Sequence, residues 1–390
     1  MTRTLTRFYD VLSAIKEQAL YRETNKQRPF KEVNQLRNLK IGAVRLPKQL
    51  GGDGLNFKEF FQLVFTLSSC DPNIAQIFRA HFVFVEGFGP DFKNLKNGDS
   101  MYWLNKVANC EIWGGAVAER NSDTSIRSYL TSLKDGPNDI YLLSGEKYYC
   151  TGAMYSDRLT TVAYHGENLV TLSIPRHSCG VDIKDDWDGF GQISTGSGTT
   201  RFNNVKVSKN YILEKPDTEA RAASSHKVAF LQLYHLATLS GIGRSVLEDS
   251  IHYVRGRTRA YGIPGLYTPS SDPLMQALIG RISSLIYAAE LIVKDCAAAM
   301  DEIADKIGDS SICDMDYAML DCKIFQAQQI VIDNVLAATG MIFELGGARA
   351  TSSDFGFDRH WRNARTVASH NPLVYREKTI GNFLLNGVFP

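Results

Sequence analysis

A chain of 390 residues with 44% hydrophobic side chains is long enough for two or three domains with buried cores. Its 43 basic and 42 acidic residues leave a net charge of +1, which recommends neither nucleic acid nor an anionic membrane as a partner. Seven scattered cysteines without a CxxC pair, and eight scattered histidines without an HExxH spacing, argue against a disulfide framework or a metal centre and for a reducing, cytoplasmic setting.

The first twenty residues lack the apolar core and cleavage site of a signal peptide and read as an amphipathic helix, with Phe8, Val11, Leu12 and Ile15 on one face. No apolar run approaches the ~20 residues of a membrane span. Residues 1–112 are predicted to be mostly helical, and Phe60, Leu63, Val64 and Leu67 repeat the helical spacing. The Pro- and Gly-rich stretch LPKQLGGDGLNF (46–57) separates two of these helices. Asp71 and Pro72 then form an N-cap and first turn. His81 follows in an otherwise apolar run, where a core histidine bonded to a backbone carbonyl is the plain reading.

From 113 to 215 the period changes. IYLLSGEKYYCTGA, LTTVAYHGENLVTLSIP and TTRFNNVKV are β-branched or aromatic runs between Gly, Asn and Pro turns, which predicts a central β-domain, barrel or sandwich. From 216 to 390 the helical period returns. A long helix with small residues at Ser240, Gly241 and Gly243 ends in Arg255, Arg257 and Arg259, which suit a helix C-terminus by themselves. Two further helices, about 271–306 and 314–341, precede a paired-glycine break, ELGGARATSS (344–353).

The last stretch, FDRHWRNARTVASHNPLVYREKTIGNFLLNG (357–387), gathers four arginines, two histidines and a tryptophan. Taken alone it is equally a salt-bridged helix joint. The run RNAR followed five residues on by HNP resembles the C-terminal signature of flavin-dependent monooxygenases built on the acyl-CoA dehydrogenase fold, in particular the dibenzothiophene monooxygenases and their sulfur-acquisition relatives. The loop L-P-x-x-x-G-G-x-G-L at 46–55 resembles the one that opens the N-terminal domain in the same superfamily. The resemblance implies an α+β multidomain protein with an N-terminal helical domain, a central β-domain and a C-terminal four-helix bundle, the family being usually tetrameric.

It also implies a set of site residues. WGGAVAERNSD (113–123), with Gly115, falls where the family lines the pyrimidine side of the flavin, although some sulfur-oxidising relatives carry asparagine at Gly115. EKYYCTGAMYSD (146–157) matches the strand whose aromatic and hydroxyl residues straddle the ring, here Tyr149 and Thr151, with Thr151 near flavin N5. Ser197 and Gly198 are turn residues that also approach this region. Either Arg257 or Arg259 meets the flavin phosphate, since guanidinium forks match phosphate oxygens, and Arg349 makes a second phosphate contact, often from a neighbouring subunit. His81 faces the flavin in the monooxygenase branch.

The departures from the dehydrogenases set the chemistry. Those enzymes need a carboxylate within hydrogen-bond reach of the substrate α-carbon. One known base position falls on Asn371, flanked by His370 and Pro372, and the other on Leu233. Neither is a base. The reaction implied is that of a two-component monooxygenase. A separate NAD(P)H-dependent flavin reductase supplies reduced FMN, and O2 adds to form a C4a-hydroperoxide that oxygenates a small organosulfur or related heteroatom or aromatic substrate. His370 and His81 hold or protonate the peroxide, Thr151 supports the ring and Asn371 faces the substrate. With an ordinary pKa near 6.5, a histidine can serve as donor or acceptor near neutrality. Two rivals remain: an FAD-dependent acyl-CoA dehydrogenase with a relocated base, and a silent paralogue used as a binding subunit.

Overall fold

The computed structural model describes residues 3–89, 92, 98–120, 129–137, 140–213, 226–259, 268–306 and 312–390. The predicted domain boundary at 215/216 and the end of the segment 113–123 lie outside these.

Six helices come first: α1 (Arg3–Glu17), α2 (Ala19–Thr24), α3 (Phe30–Asn38), α4 (Phe57–Cys70), α5 (Pro72–Glu86) and α6 (Gly98–Ala108). Phe8, Leu12 and Ile15 of α1 are buried on one stripe, as their spacing requires. α4 starts at a capping box in which the Asn56 side chain accepts from Glu59 N, and Glu59 accepts from Asn56 N. The Asp71 side chain caps α5 by accepting from Asn73 N, with Pro72 in the first turn. In the loop between α3 and α4, a Cβ on Gly52 would lie 2.2 Å from the Leu46 carbonyl oxygen, so only glycine closes that turn.

Eight strands form one mixed sheet: β1 (Trp113–Ala116), β2 (Ser132–Asp135), β3 (Ile140–Lys147), β4 (Arg158–His165), β5 (Asn168–Pro175), β6 (Val181–Ile183), β7 (Thr200–Ser208) and β8 (Ile212–Leu213). The order is β6-β7-β3-β2-β4-β5-β8, and β1 pairs in parallel with β4. β4 and β5 are a hairpin closed at Gly166, whose φ of +60° suits the turn. Beneath the sheet the Lys147 ammonium is fully buried against Glu119 at 2.7 Å. The same carboxylate accepts from Leu130 N and from both N–H and O–H of Thr131. A buried charge persists only with such complete partnering.

The rest is helical: α7 (Lys227–Gly256), α8 (Pro273–Lys306), α9 (Asp314–Met341), α10 (Asp358–Ala368) and α11 (Leu373–Asn386). The three long helices pack on one another, and α4 crosses α7 and α8. One continuous core therefore joins the N-terminal helices to the bundle, with Phe57, Phe60, Phe61, Phe82, Phe230 and Tyr234 at its centre. Gly241 lets α7 approach α4, since a Cβ there would sit 2.6 Å from the Phe65 carbonyl oxygen. Among the described residues α8 is the one helix long and apolar enough to cross a membrane, contrary to the reading of the sequence. Its buried stripe, Ile282, Ile286, Ala289, Val293, Ala297 and Met300, faces this core, while Leu274, Tyr287 and Leu291 on the same helix are exposed.

Candidate active site

The HNP triplet is the joint between α10 and α11. His370 N still bonds back to the Val367 carbonyl at 3.2 Å, and Pro372 then opens α11, so the chain cannot continue as one helix. The joint places His370 and Asn371 against α7, where Gln232 and His235 share a face at i and i+3. The His370 and His235 rings lie 4.3 Å apart, centroid to centroid. His235 Nδ1 is 3.2 Å from Gln76 Nε2 of α5. Asn371 Nδ2 donates to Gln232 Oε1 at 2.8 Å, and Gln328 Nε2 of α9 donates to the same oxygen at 2.9 Å.

Burial, reinforced by the nearby positive charge of Arg79, lowers the His370 pKa to about 3 against the opposing hydrogen bond to Asn371. Burial also takes His235 well below its ordinary value, with His370 and Arg79 pushing the same way. Both imidazoles are neutral at physiological pH, so His370 does not titrate near neutrality as the sequence alone suggested. His370 nonetheless lies exposed at this joint. No carboxylate among the described residues bonds to either histidine.

A second set of groups gathers across α5. After β3 the chain turns through Tyr149, with φ +59°, and Gly152, with φ +78°. The turn presents Thr151, whose hydroxyl lies 2.8 Å from that of Ser197, which in turn is 2.7 Å from Thr195 Oγ1. Gly115 N donates to the Thr151 carbonyl at 3.0 Å. A Cβ on Gly152 would meet the Ile77 carbonyl oxygen at 2.5 Å, and one on Gly115 would meet Ala80 Cβ at 3.3 Å. The glycines thus let the sheet press directly on α5. Ala80 occupies the space that a longer side chain at position 115, such as asparagine, would need.

The other sequence candidates lie elsewhere. His81 is fully buried, with Nε2 2.9 Å from the Gly42 carbonyl oxygen and Nδ1 3.2 Å from Trp113 N, so both ring nitrogens are engaged by backbone. Burial lowers its pKa to about 4. It joins the entry loop to β1 as a neutral core histidine and is not brought to the His370 cluster. Tyr149 is 56% exposed, its ring packed against Tyr148 and Trp187. Arg257 donates to the Leu345 carbonyl just past the end of α7, and Arg259 and Arg349 are exposed. At 1.5 Å rise per residue, Arg257 lies about 30 Å along α7 from His235, far beyond the span of one ribityl phosphate chain. One chain therefore does not bring these arginines to the Thr151 and His370 groups.

Three residues of the cluster were passed over in the sequence: Gln232, His235 and Arg79. The signal for Arg79 was a single charge in the apolar run IAQIFRAHFVFV; for the other two it was a Gln-x-x-His pair on a helix otherwise buried.

Residues 233–374 match the acyl-CoA dehydrogenase C-terminal domain. The dibenzothiophene monooxygenase of Mycolicibacterium goodii is 29% identical over 375 residues, covering 92% of this chain and 88% of the relative. The FMN-bound structure of TdsC from Paenibacillus sp. A11-2 superposes with a TM-score of 0.89 at 25% identity, covering 100% of this chain and 98% of that one. The methanesulfinate monooxygenase MsuC of Pseudomonas fluorescens gives 0.87 at 25% identity, with the same coverage. In fold, in its C-terminal domain and over nearly its whole length, the chain is thus similar to the flavin-dependent monooxygenases of the acyl-CoA dehydrogenase superfamily.

Proposed function

We propose that the chain is the oxygenase of a two-component system, taking reduced FMN from a separate NAD(P)H-dependent flavin reductase and using O2 to oxygenate a small organosulfur compound. The observation that carries this reading is the neutral His370–His235 pair beside Asn371, which offers hydrogen bonding but no carboxylate for α-proton abstraction. Leu233, at the alternative base position, is fully buried in the core. The organosulfur class rests on relatives named for dibenzothiophene and methanesulfinate.

The residues fit a flavin. The hydroxyl pair of Thr151 and Ser197 stands beside the turn where Gly115 and Gly152 pack directly on α5. Thr151 and the Gly115 strand would hold the ring. Arg257 or Arg259, with Arg349, would hold the phosphate of a flavin bound to a neighbouring copy. Reduced FMN, when bound, supplies the electrons that activate dioxygen, one oxygen atom passing to the substrate and the other leaving as water.

This chain's own groups do the rest. Thr195 gives its one proton to the Gln192 carbonyl and Ser197 gives its own to Thr195, so the Thr151 hydroxyl donates to Ser197 and would offer the ring its lone pairs as an acceptor. A neutral His370 can donate from one nitrogen and accept at the other, and so can hand on a proton without carrying charge into the site. His235, itself fixed by Gln76, holds the His370 ring in place. Asn371 is held by Gln232 and presents its amide at the substrate side. Closure of the site by α10 and α11 keeps bulk water from the reacting atoms.

Assembly as a homotetramer in the cytoplasm completes the reading. Tyr287 and Leu291 on α8, Met319 and Ile330 on α9, and Leu384 and Leu385 on α11 are large apolar side chains that are exposed, as a subunit contact requires. O2, the substrate and the reductase are the partners; nucleic acid and membrane are not. The test is an anaerobic titration followed by oxygen. Reduced FMN should bind more tightly than oxidised FMN or FAD, and air should then yield an oxygenated organosulfur product with the reductase held in a separate compartment. Exclusive FAD binding, with bleaching of that flavin by an acyl-CoA, would establish the dehydrogenase reading instead.

A further inference from the structure

Arg79 is a cation of this site for which no acceptor lies among the described residues. It lies on α5 three residues after Gln76, hence on the face that meets His235, and one residue before Ala80, which lies against Gly115. It therefore stands between the histidine set and the hydroxyl set. The side chain is part-buried, and its Nε is shut off from solvent without a hydrogen-bond acceptor. Among the described residues no carboxylate forms an ion pair with it. The groups that sense its charge are Tyr234, His235 and His370. Burial lowers its pKa to about 10, which still leaves it charged at neutral pH.

An unpaired guanidinium in such a place is costly. Other buried arginines are given acceptors by the fold: Arg22 has Asp71, Arg45 has Glu86, and Arg158 has the hydroxyl and carbonyl of Ser173. At Arg79 it supplies neutral imidazoles, which cannot neutralise it and are themselves kept neutral by it. An acceptor from outside the chain would satisfy it.

We propose that Arg79 is the substrate-recognition residue of this enzyme and that its ligand is a small organic anion with a two-oxygen head group, a sulfinate or a carboxylate, held through the guanidinium fork beside His370. The proposal rests on the monooxygenase reading for the site but concerns binding, and can fail separately from it. A fork of parallel N–H groups matches two oxygens on one centre. The neutral histidines offer further donors to the same head group without competing for its charge. A neutral sulfide or thiophene would leave Arg79 unsatisfied and should be disfavoured.

Binding of sodium methanesulfinate, sodium propanoate and dimethyl sulfone to the full-length protein saturated with oxidised FMN is measured by calorimetry. Dimethyl sulfone matches the sulfinate in size and oxygen count but carries no charge. One of the two anions should bind saturably, at least about tenfold more tightly than the sulfone, and their ranking identifies the head group. Arg79→Met should weaken the anion about ten- to a hundredfold and leave the sulfone unchanged, while Arg79→Lys should keep part of the preference. Equal binding of anions and sulfone by the wild type would overturn the proposal, and that comparison decides alone if Arg79→Met does not fold. So would an Arg79→Met protein that keeps its anion affinity, or one that loses only affinity for reduced FMN, which would make Arg79 a flavin contact. Arg79-dependent anion binding without any oxygenated product would sink the monooxygenase reading and leave this site standing; oxygenation of neutral compounds alone would do the reverse.

Discussion

Replacing His370 by alanine separates the two roles open to it. As a structural residue, its measurable contribution is the ring contact with His235 at 4.3 Å and the hydrogen bond to Asn371. An aromatic contact is worth about 0.5–1.5 kcal/mol, and the ring's open side means that its removal leaves no sealed cavity. For a chain of this length, such a loss lowers the melting temperature by only about 1–3 °C. As a proton-handling residue, His370 should be worth a factor of about 10²–10⁴ in product formation. The assay is coupled turnover with reduced FMN, counting hydrogen peroxide and oxygenated product per oxygen consumed. The variant should fold, bind reduced FMN as before and consume oxygen, with peroxide rising as product falls. Wild-type coupling in a His370→Ala protein would refute the assignment and leave the residue a prop for the α10–α11 joint.

Other expectations concern the frame. Gly42→Ala should destabilise by about 1–3 kcal/mol, read in denaturant, because the new Cβ would lie 2.6 Å from His81 Nε2 and force apart the bond between that ring and the Gly42 carbonyl. Glu119→Gln should cost about 3–5 kcal/mol by leaving the Lys147 ammonium charged and buried, seen as a melting temperature lower by several degrees. His81 titrates at about 4 in the fold against an ordinary 6.5, so the unfolded chain binds more protons between these values. Stability is then complete above pH 6.5 and falls as pH drops towards 4, by about 3 kcal/mol from this residue. Urea midpoints at pH 7 and 5 test the sign; His81→Gln should flatten the slope, and an unchanged slope would mean that His81 does not carry it.

The helices were legible because their signals are local. Asp71–Pro72 capped α5 as read, and the predicted 271–306 and 314–341 fall within two residues of α8 and α9. The turn at Thr151 and the joint at His370 also carried their own marks, in glycine, proline and the HNP motif. What stayed hidden depends on contacts between elements far apart in sequence. The use of both His81 nitrogens by Gly42 and Trp113 is invisible until the loop and β1 meet α5. Which face of α8 meets the core could not be told before α4, α7 and α9 were seen to pack on it. Arg79 and His235 looked like ordinary members of buried helices, and only the lack of an acid bonded to them among the described residues set them apart.

The length of α7 has a genetic corollary. With His235 near one end and Arg257 about 30 Å along the helix, a phosphate held by Arg257 and Arg349 would, on the reading proposed above, belong to another copy's ring site. Two defective chains would then rescue each other: a His370→Ala subunit still lends its arginines, and an Arg257→Ala, Arg349→Ala subunit still lends its ring site. Co-refolded mixtures of the two inactive proteins should regain part of the activity that neither has, whereas mixing after assembly should not. A mixture as dead as its parents would mean that each subunit works for itself.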